Sequence, residues 1–233
     1  MENSAGPAWL SYLQLLDSAL PIGGFSHSFG LETLVQTGAV SRAGQLREYI
    51  ETMLHHSWAP VDAMAVKAVY AYVPRQEWGV LWRVDHRLHV QRTASETRDG
   101  VAKMGRRLYS LTRSLYPALP WEPLHQAIQD SRCPGTHPLI HGWVSFHLDV
   151  PLAMAVEGYL YTCVQTCINS GLRLMAIGQT EGQRLLASLL PVITEAWKEA
   201  EGLDPAEDGF GSVPQADLAM IRHESLYSRL FMS

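Results

Sequence analysis

Gly24-Phe25-Ser26-His27-Ser28 sets a hydroxyl nucleophile beside a histidine and resembles a nucleophile elbow. A serine raised on a nucleophile elbow needs a glycine two residues to either side, and Ser28 occupies the second of those positions. No strand pattern leads into the segment, so acyl-transfer chemistry has no support. The 10 histidines invite a search for metal ligands. His86 and His89 are three apart on one helix face beside Asp85, close enough to chelate. His137 and His141 are four apart, but Pro138 between them predicts that the first lies outside the helix. His55 and His56 are neighbours and point in different directions. Cys163 and Cys167 share a helix face and would suit a borderline metal as thiolates. Val156, Tyr159, Leu160, Val164 and Ile168 share or flank that stripe, which favours packing as small buried apolar groups. There is no HExxH, no GxxxxGK[ST] and no GxGxxG after a strand. These residues assemble no catalytic centre, cofactor site or complete metal site, and the expectation is a protein that is not an enzyme.

The elements that must position these residues are helical. The 233 residues are 47% apolar and 18% charged, enough to bury a core without disulfides or metal. Helical periodicity dominates and no stretch alternates cleanly enough to require a strand. Helices are predicted over 9–19, 29–36, from Ser41 through Trp58, and from Pro60 to Val73. Others are predicted over 76–88, 95–116, 122–132, 139–148, 151–172, 181–200 with a kink at Pro191, and 216–227. The fold class is all-α, a single-domain bundle of about ten helices, with a mobile acidic loop near 201–215 and a tail over 216–233.

Charge and cysteine usage narrow the function classes. The net charge is −5, which argues against nucleic acid as a partner. Between Arg83 and Arg113 eight basic residues face three acidic ones, while the rest of the chain is acidic. Such a dipole could steer a partner, or be an ordinary solvated face. Three cysteines give no disulfide framework, no leader is visible, and no window is apolar enough to span a bilayer. A cytoplasmic location with no membrane contact is expected.

Four segments resemble a known family. Residues 13–32, running Leu13-Gln14-Leu15-Leu16-Asp17-Ser18-Ala19-Leu20-Pro21-Ile22-Gly23-Gly24 and on to Gly30-Leu31-Glu32, are similar to the N-terminal signature of the UreF urease accessory proteins. Ser95-Glu96-Thr97-Arg98 with Met104-Gly105-Arg106-Arg107-Leu108 resembles a central block. Gly171-Leu172-Arg173-Leu174 through Gly178-Gln179-Thr180-Glu181-Gly182-Gln183 resembles a third, with Ala176 where the family has proline and Ile177 where it has leucine. Met220-Ile221-Arg222-His223-Glu224 with Ser228-Arg229-Leu230-Phe231 resembles the family's ending.

The resemblance implies a helical homodimer without a cofactor, partnering a UreD/UreH-like protein and a UreG-like GTPase to deliver nickel to apo-urease. It further implies partner contacts at Gly23, Gly24, Ser26, His27 and Glu32, at Arg98, Arg106 and Arg107, at Gly178, Gln179 and Gln183, and at Arg222, His223, Glu224 and Arg229. Two other readings stand beside it. One is a GTPase-activating protein lending Arg98, Arg106 or Arg107 to the GTPase; the other is a direct nickel carrier using His86 and His89. Physically, Gly23-Gly24 allows a tight turn that presents Ser26, His27 and Ser28, either as helix caps or as partner contacts. Thr180 is the candidate N-cap of its helix, and the polar tail is expected to order against the UreD-like partner.

Overall fold

The computed structural model describes residues 8–233; residues 1–7, part of the stretch read as lacking a leader, lie outside the described residues. Eleven α-helices follow one another, and among the described residues there is no strand. The first, α1 (Ala8–Leu15), stops earlier than periodicity predicts. Asp17 ends it: its carboxylate accepts the N–H of Ala19 at 2.8 Å, a local bond that competes with helix continuation.

A 3₁₀ turn, Gly24–Ser26, leads to the short α2 (Leu31–Gln36). Next comes one long rod: α3 (Ala43–Met53), a π-helical stretch (Leu54–Asp62) and α4 (Ala63–Tyr72). Sequence reasoning put a break at Pro60, but the chain widens there instead. Proline has no N–H, and its ring would collide with the carbonyl four residues back. The His56 carbonyl, which Pro60 cannot serve as an α-helical donor, accepts the Ser212 N–H at 3.1 Å. Arg42 rather than Ser41 is the N-cap of α3; the Ser41 N–H and hydroxyl both donate to Gln45 Oε1, at 3.0 and 3.1 Å.

The remaining elements are α5 (Trp78–Val90), α6 (Ser95–Leu115), α7 (Glu122–Gln129), α8 (His137–His147), α9 (Leu152–Leu174), α10 (Gln179–Ala200) and α11 (Pro214–His223). Helix α8 is buried along nearly its whole length and packs against α4. A Cβ on Gly142 would stand 2.9 Å from the Val66 Cα, so glycine sets that close approach. Pro138 does not exclude His137 from the helix, because proline is well suited to a first turn. Helix α10 continues through Pro191 without interruption and begins at Gln179, so Gly178 rather than Thr180 is its N-cap. Burial raises both thiols of Cys163 and Cys167, the latter to about 12, so they pack as protonated apolar groups.

The acidic connection after α10 lies across α4 and α5. Lys67 donates to the carbonyls of Glu201 and Leu203 at 2.7 and 2.5 Å, Arg87 to those of Pro205 and Ala206, and Gln91 to that of Gly209 at 2.9 Å. No described helix is long and apolar enough to cross a membrane.

Candidate functional site

The chain reverses at Gly23, whose φ of 88° is open to glycine and resisted by other residues. Ser26 Oγ donates back to the Gly23 carbonyl at 2.7 Å and closes the turn. His27 follows in extended backbone, stacked on Phe29 at 5.3 Å, with Nδ1 2.8 Å from Ser233 Oγ. Its ring lies against α6 because residue 100 is glycine: a Cβ there would come within 2.9 Å of the imidazole. Burial, helped by the cations of Lys103 and Arg107, lowers the His27 pKa to about 4, so the ring is neutral. Phe29 (φ 49°) and Gly30 (φ 89°) then turn the backbone. The N–H groups of Ser28 and Phe29 both reach the Ser233 carbonyl, at 2.6 and 3.0 Å, and Ser28 Oγ donates to it at 2.9 Å.

Glu32, in the first turn of α2, is 2% exposed and is the hub of the site. Its carboxylate accepts the Leu230 N–H at 2.6 Å and the Phe231 N–H at 3.1 Å, and lies 3.0 Å from His223 Nε2. On the other side of that fully buried ring, Nδ1 stands 2.7 Å from Glu96 Oε2. Arg229 donates to Glu96 Oε1 at 2.6 Å. Burial works to raise the Glu96 pKa, but the hydrogen bonds from His223 and Arg229 outweigh it and hold the group below the usual carboxylate range. Glu224 accepts a hydrogen bond from Ser95.

Arg173, near the end of α9, closes the assembly. It donates to the Phe25 carbonyl at 2.5 Å and sets its guanidinium 4.3 Å from the centre of the Phe231 ring. Segments separated by most of the chain therefore meet in one place. Ser26, His27 and Glu32 come from the first block, Glu96 from the second, Arg173 from the third, and His223, Glu224 and Arg229 from the last. Glu96, Arg173 and the positioning glycine Gly100 were not singled out as site residues. Glu96 and Arg173 sat inside segments already marked by resemblance, but their partners are set only by tertiary folding.

The tail, expected to order against a partner, is ordered against its own chain by these contacts, since the body already supplies acceptors for its N–H groups. Above the cluster its side chains and those of the 3₁₀ turn are open to solvent: Phe25, Tyr227, Leu230 and Met232 are each more than half exposed.

Other expected site residues are not gathered here. Gln179 and Gln183 lie exposed on the first turns of α10, and Gly178 is exposed beside them. Arg98 donates to the Arg92 carbonyl at 2.9 Å and Arg106 to that of Pro134 at 3.5 Å. Arg107 is exposed next to Gly23. The basic stretch is partly consumed inside the fold, Arg87 by the acidic connection and Arg92 by an ion pair with Asp62.

Asp85, the third member of the His86–His89 grouping, is fully buried. It accepts from Cys133 Sγ at 3.2 Å, from the Gly135 and Thr136 N–H groups at 2.9 and 3.3 Å, and from the Thr136 hydroxyl. Among the described residues no three His, Cys, Asp or Glu side chains converge as a metal set.

The UreF family model matches residues 40–190, the helical body between the turn and the tail. The urease accessory protein UreF of Bacillus sp. (strain TB-90) is 34% identical over 224 residues, covering 96% of this chain and 98% of the relative. The urease accessory protein UreF of Actinobacillus pleuropneumoniae serotype 3 (strain JL03) is 32% identical over 224 residues, with 95% and 97% covered. That of Haemophilus influenzae (strain PittEE) is 32% identical over 227 residues, with 95% and 94% covered. Such coverage reaches well beyond residues 40–190, and the chain belongs to the UreF family of urease accessory proteins, which assist an enzyme rather than being one.

Proposed function

We propose that this chain assists urease maturation as a scaffold, joining a UreD/UreH-like protein and a UreG-like GTPase on apo-urease so that nickel is inserted. The observation that carries the reading is the apolar cap of Phe25, Tyr227, Leu230 and Met232 over a buried polar network. Large apolar side chains left exposed on two segments that hydrogen-bond to each other are a liability in a monomer and point to an interaction surface. The rigid network beneath them serves to hold that cap in one shape.

The test uses Phe25→Asp and Leu230→Asp, whose side chains are exposed while the buried network does not depend on them. Each should weaken co-purification with the UreD-like partner and slow urease activation in a reconstituted mixture. Undiminished capture by both variants refutes the assignment of this face. Deleting residues 222–233 is a poorer test, because it also strips His223 and Phe231 from the interior.

Homodimerisation belongs to the same reading. Trp9, Leu10 and Leu13 are exposed on α1, and Leu13 lines a groove with Met154 and Leu190. Leu13→Arg combined with Met154→Arg should give a monomer by light scattering. A second reading draws on the exposure of Arg106 and Arg107, which leaves guanidinium groups free to approach a GTPase site. Single-turnover GTP hydrolysis unchanged by adding this chain would remove it.

A further inference from the structure

The two ring nitrogens of His223 both face carboxylate oxygens, Glu96 Oε2 at 2.7 Å and Glu32 Oε2 at 3.0 Å. An ionised carboxylate only accepts hydrogen bonds, and a neutral imidazole donates from one nitrogen and presents a lone pair at the other. With a neutral ring, one of these contacts would set lone pair against lone pair inside the protein. The other carboxylate positions are already taken. Glu32 receives the N–H groups of Leu230 and Phe231, and Glu96 Oε1 receives Arg229. Docking of the tail therefore requires one proton beyond those of a neutral histidine and two carboxylates. Arg229, a permanent cation on Glu96 Oε1, favours that carboxylate in its ionised form, which leaves the ring to carry the proton.

Charge balance agrees. The ring faces Glu32 from α2, Glu96 from α6, Arg229 from the tail and the neutral His27 from the turn, behind which stand Lys103 and Arg107. Two carboxylates, one guanidinium and one imidazolium sum to zero. Loss of the proton leaves the two carboxylates and Arg229 as a net negative cluster around a fully buried ring, with only Lys103 and Arg107 behind His27 to offset it.

We propose that Glu32, His223 and Glu96 form a proton-operated latch that holds residues 225–233 on the body while the triad carries its extra proton and releases them when that proton leaves. Release would free the Ser28 and Phe29 N–H groups from Ser233 and dismantle the apolar cap, withdrawing the face assembled above the network. This inference concerns the chain alone and does not rest on what binds that face.

Hydrogen exchange of residues 225–233 in the full chain, corrected for intrinsic rates, tests it across about pH 6 to 9. The docked state holds one proton more than the released one, so linkage makes docking favourable at low pH and weaker as pH rises. Past the midpoint, protection should fall about tenfold per pH unit. Glu96→Gln separates the proton from the packing. Its amide oxygen can accept Arg229, and its NH₂ can donate to a neutral Nδ1, so the tail should stay protected and the pH slope should vanish. Flat protection in the parent chain overturns the proposal, and so does a slope that persists in Glu96→Gln or a tail unprotected in that variant at every pH. Independently, ¹⁵N-histidine NMR should find both His223 nitrogens protonated in the docked chain; a singly protonated ring overturns the latch whatever the variant does.

Discussion

Replacing Glu32 by alanine should release the C-terminal segment without unfolding the body. The carboxylate receives two tail N–H groups, at 2.6 and 3.1 Å, and faces His223 at 3.0 Å, and neither Glu32 nor His223 has appreciable solvent contact. Removing one partner of a buried, hydrogen-bonded pair costs roughly 3–5 kcal/mol, because the remaining groups are left desolvated and unpaired. Against this the tail keeps the bonds of the Ser233 carbonyl to Ser28 and Phe29, the Met232 N–H bond to the Ser26 carbonyl, and two further holds. Burial of Phe231 is worth about 2 kcal/mol, and the half-exposed Arg229–Glu96 pair at most about 1 kcal/mol.

Detaching residues 225–233 returns the orphaned N–H groups to water, whereas global unfolding would sacrifice the whole core. The chain therefore sheds the cost locally. A loss of 3–5 kcal/mol is roughly two to three and a half powers of ten in the docking equilibrium. Hydrogen exchange at Leu230, Phe231 and Met232 should accelerate by that factor, with α4 and α8 amides unchanged. Glu32→Gln keeps one acceptor oxygen but turns an NH₂ toward a tail N–H, and should lose only about 1–3 kcal/mol. A less than tenfold change in Glu32→Ala would show that Glu32 is not the hub of docking.

Three further outcomes follow from other sites. Asp85→Ala should cost about 3–5 kcal/mol and lower the Tm by roughly 10 °C in a thermal melt, because it orphans the buried N–H groups of Gly135 and Thr136. Asp85→Asn should cost less, since its amide can accept those groups and donate to the Thr136 hydroxyl. Gly100→Ala sets a helix-propensity gain of about 1 kcal/mol against about 1–3 kcal/mol of overpacking on His27; exchange should quicken in the tail while the Tm stays nearly constant. Buried His137 and His141 have pKa values lowered from 6.5 to about 3 and about 4, so the fold keeps them neutral while the unfolded chain takes up protons. Stability is then full above pH 6.5 and falls as pH drops, by about 2 kcal/mol per histidine at pH 5, and the urea midpoint at pH 5 should lie clearly below that at pH 7.

The helices were legible because their burial follows the 3.6-residue stripe. Leu46, Ile50, Met53 and Leu54 are buried in the rod, and Val101, Met104 and Leu108 on α6, as helical periodicity requires, although Leu115, on the same stripe at the end of α6, is exposed. Boundaries failed where a side chain or a distant backbone group decided them. Asp17 ends α1 with a bond that a hydrophobic pattern does not register. Pro60 reads as a helix start from local rules, yet the Ser212 N–H, far along the chain, lets the rod continue by satisfying the His56 carbonyl.

The site was legible as segments and illegible as a place. Resemblance marked Glu32 and His223 as important polar residues without telling that they face one another across 191 positions. A polar side chain kept for a neighbour inside the chain and one kept for a neighbour outside look identical in sequence; only burial separates them. His27, Glu32 and His223 fall on the inner side of that division, since a desolvated polar group persists only when its partners are already present. Phe25, Arg222, Glu224, Gln179 and Gln183 fall on the outer side, exposed to whatever binds. The inner residues therefore act on partners only through the shape they impose on the outer ones, and substitutions at the two sets should differ in kind. Inner variants should change tail exchange first and binding in consequence, whereas outer variants should change binding with tail exchange left as it was.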